Sequence, residues 1–323
     1  MASHPPLLPK LLHLLHLLVI LLATHASSAS APHKKTALVV FLHGLGDRGS
    51  SFKTLFRDSL PPAPPTVTAA AAAAAAAATA AAAAASAVSP SYSHIKWVFP
   101  TAATIPVTIN GGARMPGWYD IVSLDAKTIT HDVEGLERSY ARVAGIIDKW
   151  VQRDGGDPRR VVLGGFSQGA AVALYALVRG SPSASPAMAS SVPSPSVPYA
   201  GILGMSGYLP MKNATLRRRV AADSIPPFAF STPVRLFHGA KDQLVAPLHA
   251  KNSAGNLDKA GFDVKFKMFK GVGHHVNNAI MKRTLKFILE CLPPLADARE
   301  EDRGEAGEAD TAGRGETAEK EEL

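Results

Sequence analysis

The stretch Arg160-Val161-Val162-Leu163-Gly164-Gly165-Phe166-Ser167-Gln168-Gly169-Ala170-Ala171-Val172-Ala173-Leu174-Tyr175 joins an apolar run to a helix-forming one through Gly-x-Ser-x-Gly. Strand, Gly-x-Ser-x-Gly, helix is the context in which this motif forms a sharp elbow that holds a serine hydroxyl above a sheet. The glycines two residues before and after Ser167 leave room for strand and helix to approach, and the hydroxyl stands near the positive end of the helix. The competing reading is an ordinary strand-to-helix turn with Ser167 as its N-cap.

A serine hydroxyl at neutral pH needs a base to take its proton, and the base needs an orienting group. In this context the partners follow the serine in the order acid, then histidine. Pro233-Val234-Arg235-Leu236-Phe237-His238-Gly239-Ala240-Lys241-Asp242 reads as a strand whose following loop presents Asp242. Val264-Lys265-Phe266-Lys267-Met268-Phe269 alternates as a strand and leads into Gly271-Val272-Gly273-His274-His275. Both candidates lie just past strand C-termini, where open α/β sheets hold their ligands. His274 follows the Gly-Val-Gly turn directly and is preferred to His275; Asp223 and Asp263 are weaker rivals for the acid.

Stabilising an oxyanion calls for two backbone N–H groups, one from the residue after the nucleophile, Gln168. Ala37-Leu38-Val39-Val40-Phe41-Leu42 is an apolar strand followed by His43-Gly44-Leu45-Gly46-Asp47, which makes the Leu45 N–H the second donor. His43 reads as a structural loop residue.

These segments resemble the acyl-protein thioesterase and carboxylesterase family of α/β-hydrolases. The likeness runs from about Ala37 to Leu292 and rests on Phe41-Leu42-His43-Gly44-Leu45-Gly46-Asp47, His94-Ile95-Lys96-Trp97-Val98-Phe99-Pro100, Pro106-Val107-Thr108 and Met115-Pro116-Gly117-Trp118-Tyr119-Asp120-Ile121. It continues through Gly165-Phe166-Ser167-Gln168-Gly169, Met205-Ser206-Gly207-Tyr208-Leu209-Pro210, His238-Gly239-Ala240-Lys241-Asp242 and Gly271-Val272-Gly273-His274. The resemblance implies Ser167 as nucleophile, Asp242 as acid, His274 as base, and Leu45 and Gln168 as oxyanion donors. It also implies that Trp118 and the segment around Gly207 line an acyl channel, although an aromatic pair such as Trp118-Tyr119 is also what a core would use. The implied substrates are acylated proteins, lysophospholipids and small carboxylic esters, and no metal or organic cofactor is called for. The alternatives are a lysophospholipase or short-acyl carboxylesterase and, from another class, a non-catalytic ligand-binding hydrolase fold.

Strands at 37–42, 95–99, 161–164, 201–205, 234–238 and 264–269 alternate with helical stretches near 133–152, 168–179, 246–260 and 277–290. Such alternation predicts an α/β fold with a mainly parallel sheet and helices on both faces. The hydrolase domain is expected over 36–295. Residues 1–35 have the three-part form of a secretory signal peptide and linker, with an apolar run from Leu11 to Leu22 that is short for a bilayer span. Residues 61–91, with a nearly pure alanine tract from Ala69 to Ala85, and the Ser/Pro-rich residues 181–198 read as low-complexity insertions.

The 323-residue chain has a net charge of +8, with 46% hydrophobic residues. Residues 296–323 form an acidic tail of net −7, which leaves +15 on the rest. The basic body suits peripheral contact with anionic membrane surfaces. Nucleic acid is excluded as a partner for want of a recognition motif, since the densest basic run is only Arg217-Arg218-Arg219. The chain ends in Lys320-Glu321-Glu322-Leu323, one acidic change from the Lys-Asp-Glu-Leu retrieval signal. With the N-terminal segment this points to the secretory pathway and the endoplasmic reticulum lumen, against the cytoplasm usual for the resembled family. Asn213-Ala214-Thr215 is then a glycosylation sequon. The single cysteine, Cys291, excludes an internal disulfide and reads as a packed residue.

Overall fold

The computed structural model describes residues 35–60, 92–124, 132–179 and 198–295. The expected signal segment, the two low-complexity insertions and the acidic tail lie outside the described residues, apart from residues 35 and 198 at their margins.

Six strands form one fully parallel sheet: β1 (Ala37–Leu42), β2 (Ile95–Val98), β5 (Val161–Phe166), β6 (Gly201–Met205), β7 (Val234–Gly239) and β8 (Val264–Phe269), in the order β2-β1-β5-β6-β7-β8. β3 (Thr104–Val107) and β4 (Ala113–Pro116) make a separate antiparallel hairpin. The helices are α1 (Gly49–Ser59), α2 (Val133–Asp154), α3 (Gln168–Val178), α4 (Asn213–Ala221), α5 (Phe228–Ser231), α6 (Pro247–Lys259) and α7 (Asn278–Cys291).

Both faces of the sheet are covered, as the near-continuous apolar strands require. Along β1, Leu38, Val40 and Leu42 join one core with α2, α3 and α6, while Ala37, Val39 and Phe41 join a second with α1 and α7. The edge strand β8 limits edge-to-edge pairing by exposing Lys265 and Lys267.

Two differences from the sequence expectation concern the site. β5 runs on to Phe166, because Gly164, Gly165 and Phe166 pair with Leu203, Gly204 and Met205 of β6. The Gly-x-Ser motif is thus half strand, and the reversal is confined to Ser167. The β3–β4 hairpin and α1 were not anticipated, nor were the short helices α4 and α5.

The chain leaves β1 for β2 on one side and returns to β5 on the other, so the strand order switches between β1 and β5. A crevice at the C-terminal ends of strands is expected at such a point. The flanks of the stretches at 61–91 and 180–197 sit at the opposite end. Tyr92 leads into the start of β2, where Ile95 pairs with Ala37, and Ala200 leads into the start of β6, where Gly201 pairs with Val162.

Gly169 is what lets α3 start directly under β1: a Cβ there would lie 2.3 Å from the Leu42 carbonyl oxygen and 2.7 Å from that of His43. Gly169→Ala is therefore expected to cost about 3 kcal/mol, at the upper end of the range for forced overpacking. Gly145→Ala, inside α2 with nothing within 4 Å of the added Cβ, should instead stabilise by about 0.5–1 kcal/mol. Urea denaturation of both variants checks the contrast.

Candidate active site

Ser167 stands between β5 and α3 with φ 53° and ψ −117°. A non-glycine residue at positive φ is strained and persists only where its surroundings over-determine it. Here they do: the Ser167 N–H donates to the Met205 carbonyl at 2.8 Å, and a Cβ on Gly165 would meet the Gly169 carbonyl carbon at 2.3 Å. Ser167 occupies the N-cap position of α3 but its side chain makes no cap hydrogen bond. The hydroxyl instead lies 3.0 Å from His274 Nε2. The side chain therefore does not cap α3 and stands within hydrogen-bond reach of an imidazole.

His274 Nδ1 lies 2.7 Å from Asp242 Oδ2. An ionised carboxylate only accepts, so the proton is on Nδ1 and the Nε2 lone pair faces the serine hydroxyl. The imidazole packs against the Phe166 ring, 4.8 Å between centroids. Asp242 is fully buried at its side chain. Burial would raise its carboxyl, but hydrogen bonds from His274 and the Val245 N–H, with the electrostatic pull of the His274 and His238 imidazoles, outweigh that and hold it below the usual value. Its Oδ1 accepts from the N–H groups of Leu244 at 3.0 Å and Val245 at 2.9 Å.

The rivals are elsewhere. His275 is exposed; Asp263 is exposed at the start of β8, where its carbonyl accepts from Val234; Asp223 is exposed after α4 at φ 48°.

The loop after β1 is held from several directions. His43 is buried; its Nδ1–H donates to the Gly44 carbonyl at 2.6 Å and its Nε2 accepts from the Ala102 N–H at 2.9 Å. Both nitrogens are occupied and burial lowers its basicity despite the Gly44 bond, so His43 is a neutral strut. The Gly46 N–H donates to Pro116 of β4 at 2.8 Å. Among the described residues the Leu45 N–H donates to no backbone carbonyl, and the Gln168 N–H, first in α3, has no intrahelical acceptor.

The Gln168 side chain has a second task that the sequence did not signal. Its Oε1 accepts from the Trp118 N–H at 2.9 Å and its Nε2 donates to the Tyr119 carbonyl at 2.6 Å, clamping that loop to the elbow. Trp118, expected on an acyl-channel wall, is only 4% exposed and belongs to the core. Its indole N–H donates to the His43 carbonyl at 2.9 Å, so it braces the loop that carries Leu45. At Gly207 the absent side chain makes room for Ala170 Cβ, 2.5 Å from the position of an added Cβ, and the Ser167 carbonyl oxygen, 2.9 Å away. What Gly207 supplies is close approach of the segment after β6 to the elbow. Among the described residues no cluster of three or more His, Cys, Asp or Glu side chains is arranged to hold a metal ion.

The chain is similar to known proteins in sequence and in fold. The sequence model of the phospholipase/carboxylesterase family matches residues 74–292, and the chain belongs to that family. It is 31% identical over 270 residues to acyl-protein thioesterase 1 of Gibberella zeae, covering 82% of this chain and 94% of the relative. It is 32% identical over 248 residues to acyl-protein thioesterase 1 of Yarrowia lipolytica, covering 76% and 84%. The crystal structure of Zea mays acyl-protein thioesterase 2 is similar with a TM-score of 0.60 at 30% identity, covering 81% of this chain and 96% of that one. The Arabidopsis thaliana SOBER1 structure shares the fold, with a TM-score of 0.58 at 23% identity and coverage of 79% and 99%. The chain is accordingly an ester or thioester hydrolase with an α/β-hydrolase fold.

The buried histidines carry a stability consequence. His43 and His238 both have basicity lowered by burial from the ordinary 6.5. The unfolded chain therefore takes up protons near pH 6.5 that the folded sites do not, and stability falls as pH drops below that value. The melting temperature should be lower at pH 5.5 than at pH 7.5, and His43→Gln, while less stable at pH 7.5, should show a smaller drop between the two.

Proposed function

We propose that Ser167, His274 and Asp242 act as nucleophile, base and acid in the hydrolysis of acyl thioesters and esters through an acyl-enzyme. The observation that carries this reading is the unbroken chain from Ser167 Oγ to His274 at 3.0 Å and from His274 to Asp242 at 2.7 Å, set on a strained elbow.

Ser167 Oγ attacks the acyl carbonyl carbon while its proton passes to His274 Nε2. Asp242 holds the imidazole in the productive tautomer and stabilises its positive charge. The carbonyl oxygen, now negative, accepts from the Leu45 and Gln168 N–H groups. The tetrahedral species collapses, and the thiol or alcohol leaves with the proton from Nε2. Water then gives a proton to Nε2 and its oxygen to the acyl carbon, releasing the carboxylic acid and restoring the Ser167 hydroxyl. The names of the relatives, acyl-protein thioesterases, favour an acylated protein as the substrate class.

Wild type is expected to label with a fluorophosphonate probe and to hydrolyse a palmitoyl thioester faster than a lysophospholipid or an acetyl ester. Ser167→Ala and His274→Ala should abolish labelling and lower kcat by about 10⁶-fold, and Asp242→Asn by about 10⁴-fold. A well-folded wild type that does not label would favour a ligand-binding fold, and faster lysophospholipid turnover would favour a lysophospholipase.

For location, the signal-like residues 1–35 and the Lys-Glu-Glu-Leu ending support the lumen of the secretory pathway. A fluorescent fusion lacking residues 1–35 but keeping the tail should lose lumenal localisation; unchanged localisation overturns this reading.

A further inference from the structure

His238 lies at the end of β7, four residues before Asp242, and its side chain is fully buried. Its Nε2 is 2.9 Å from the Val245 carbonyl oxygen, which can only accept, so the proton is on Nε2. The same nitrogen stands 3.3 Å from Asp242 Oδ2, the oxygen that receives His274. Nδ1 is buried without a partner in the described structure. A buried imidazole that leaves one nitrogen unsatisfied needs a reason for its presence.

The contact at Val245 supplies one. The Val245 N–H donates to Asp242 Oδ1 while its carbonyl accepts from His238. One residue, Val245, thus links the rigid strand to the carboxylate through its two flanking peptide groups, and His238 Nε2 also lies 3.3 Å from the other carboxylate oxygen. We propose that His238 is a positioning residue, which fixes the orientation of Asp242 by holding the 242–245 loop closed around its carboxylate. The inference rests on the assignment of Asp242 as the acid of the triad. The ionisable groups that bear on His238 are Asp242, His274 and His249, and burial keeps it neutral among them.

His238→Leu removes the donor, whereas His238→Gln returns an N–H near the Nε2 position. With wild type as reference, His238→Leu is expected to lower kcat for thioester hydrolysis about tenfold, as loss of an outer-shell partner does. KM should stay within about twofold, because the residue does not face substrate. His238→Gln should recover most of that loss. Equal kcat in wild type and a folded His238→Leu, or equal losses in the Leu and Gln variants, overturns the proposal. Imidazole ¹⁵N NMR of the wild type gives a test that needs no variant: His238 is expected as the neutral Nε2–H tautomer throughout the pH range of activity, and an Nδ1–H or doubly protonated form overturns it. Loss of activity in Asp242→Asn separates the two readings. If Asp242→Asn stays fully active, the acid assignment fails and this proposal fails with it; if it is inactive while His238→Leu matches wild type, only this proposal fails.

Discussion

The close approach of α3 to the ends of β1 and β5 is the constraint on which the rest of the site depends. It forces Ser167 to reverse the chain in one residue at φ 53°, and two glycines are the only way to fit the resulting contacts of backbone on backbone. The strain is local and is balanced by ordinary terms: the parallel pairing of β5 with β6, the Ser167 N–H to Met205 bond, and an entirely buried α3. Because the hydroxyl is not used as a helix cap, it is free to meet His274. With Ser167 capping α3 instead, its hydroxyl would be turned away from His274.

Around that point the structure fixes dipoles more than charges. Among the described residues Asp242 is the one buried carboxylate, and it is met by two main-chain N–H groups and two imidazoles. His43 and Gln168 use their side chains to satisfy backbone groups of neighbouring loops. Buried polar networks of this kind are costly when half made and stiff when complete. Stiffness is useful where donors must already point to the place where negative charge develops.

Much of this was readable in the chain, for identifiable reasons. The six strands announce themselves as short apolar or alternating runs, and the elbow by glycine spacing. Asp242 and His274 emerge because each closes a strand-to-loop junction. The hairpin of β3 and β4 does not, since Pro106 and Pro116 sit within it and proline argues against a strand. The expected end of β5 at residue 164 falls short because Gly165 has poor strand propensity and belongs to the turn motif, which pairing of Gly165 and Phe166 with β6 overrides. Helix α1 did carry a signal, Phe52 and Phe56 at i, i+4 spacing, that the neighbouring glycine-rich loop obscured. The bracing roles of Trp118, Gln168 and His238 depend on carbonyl and amide partners distant in sequence or around a turn. Residue type alone cannot reveal such contacts.

The points where the long stretches at 61–91 and 180–197 join the fold keep them away from the site. Both joins are at the N-terminal end of the sheet, while Ser167, Asp242, His274 and the 43–47 loop all gather at the C-terminal end. A change in the length of either tract therefore enters the fold a full strand length away from the serine, histidine and aspartate. Added length there leaves the site's distances alone, while a single added methyl at Gly169 would sit 2.3 Å from the Leu42 carbonyl oxygen. One domain thus pairs an end that is closed to a single methyl with an end that takes long connections, separated by the length of its strands.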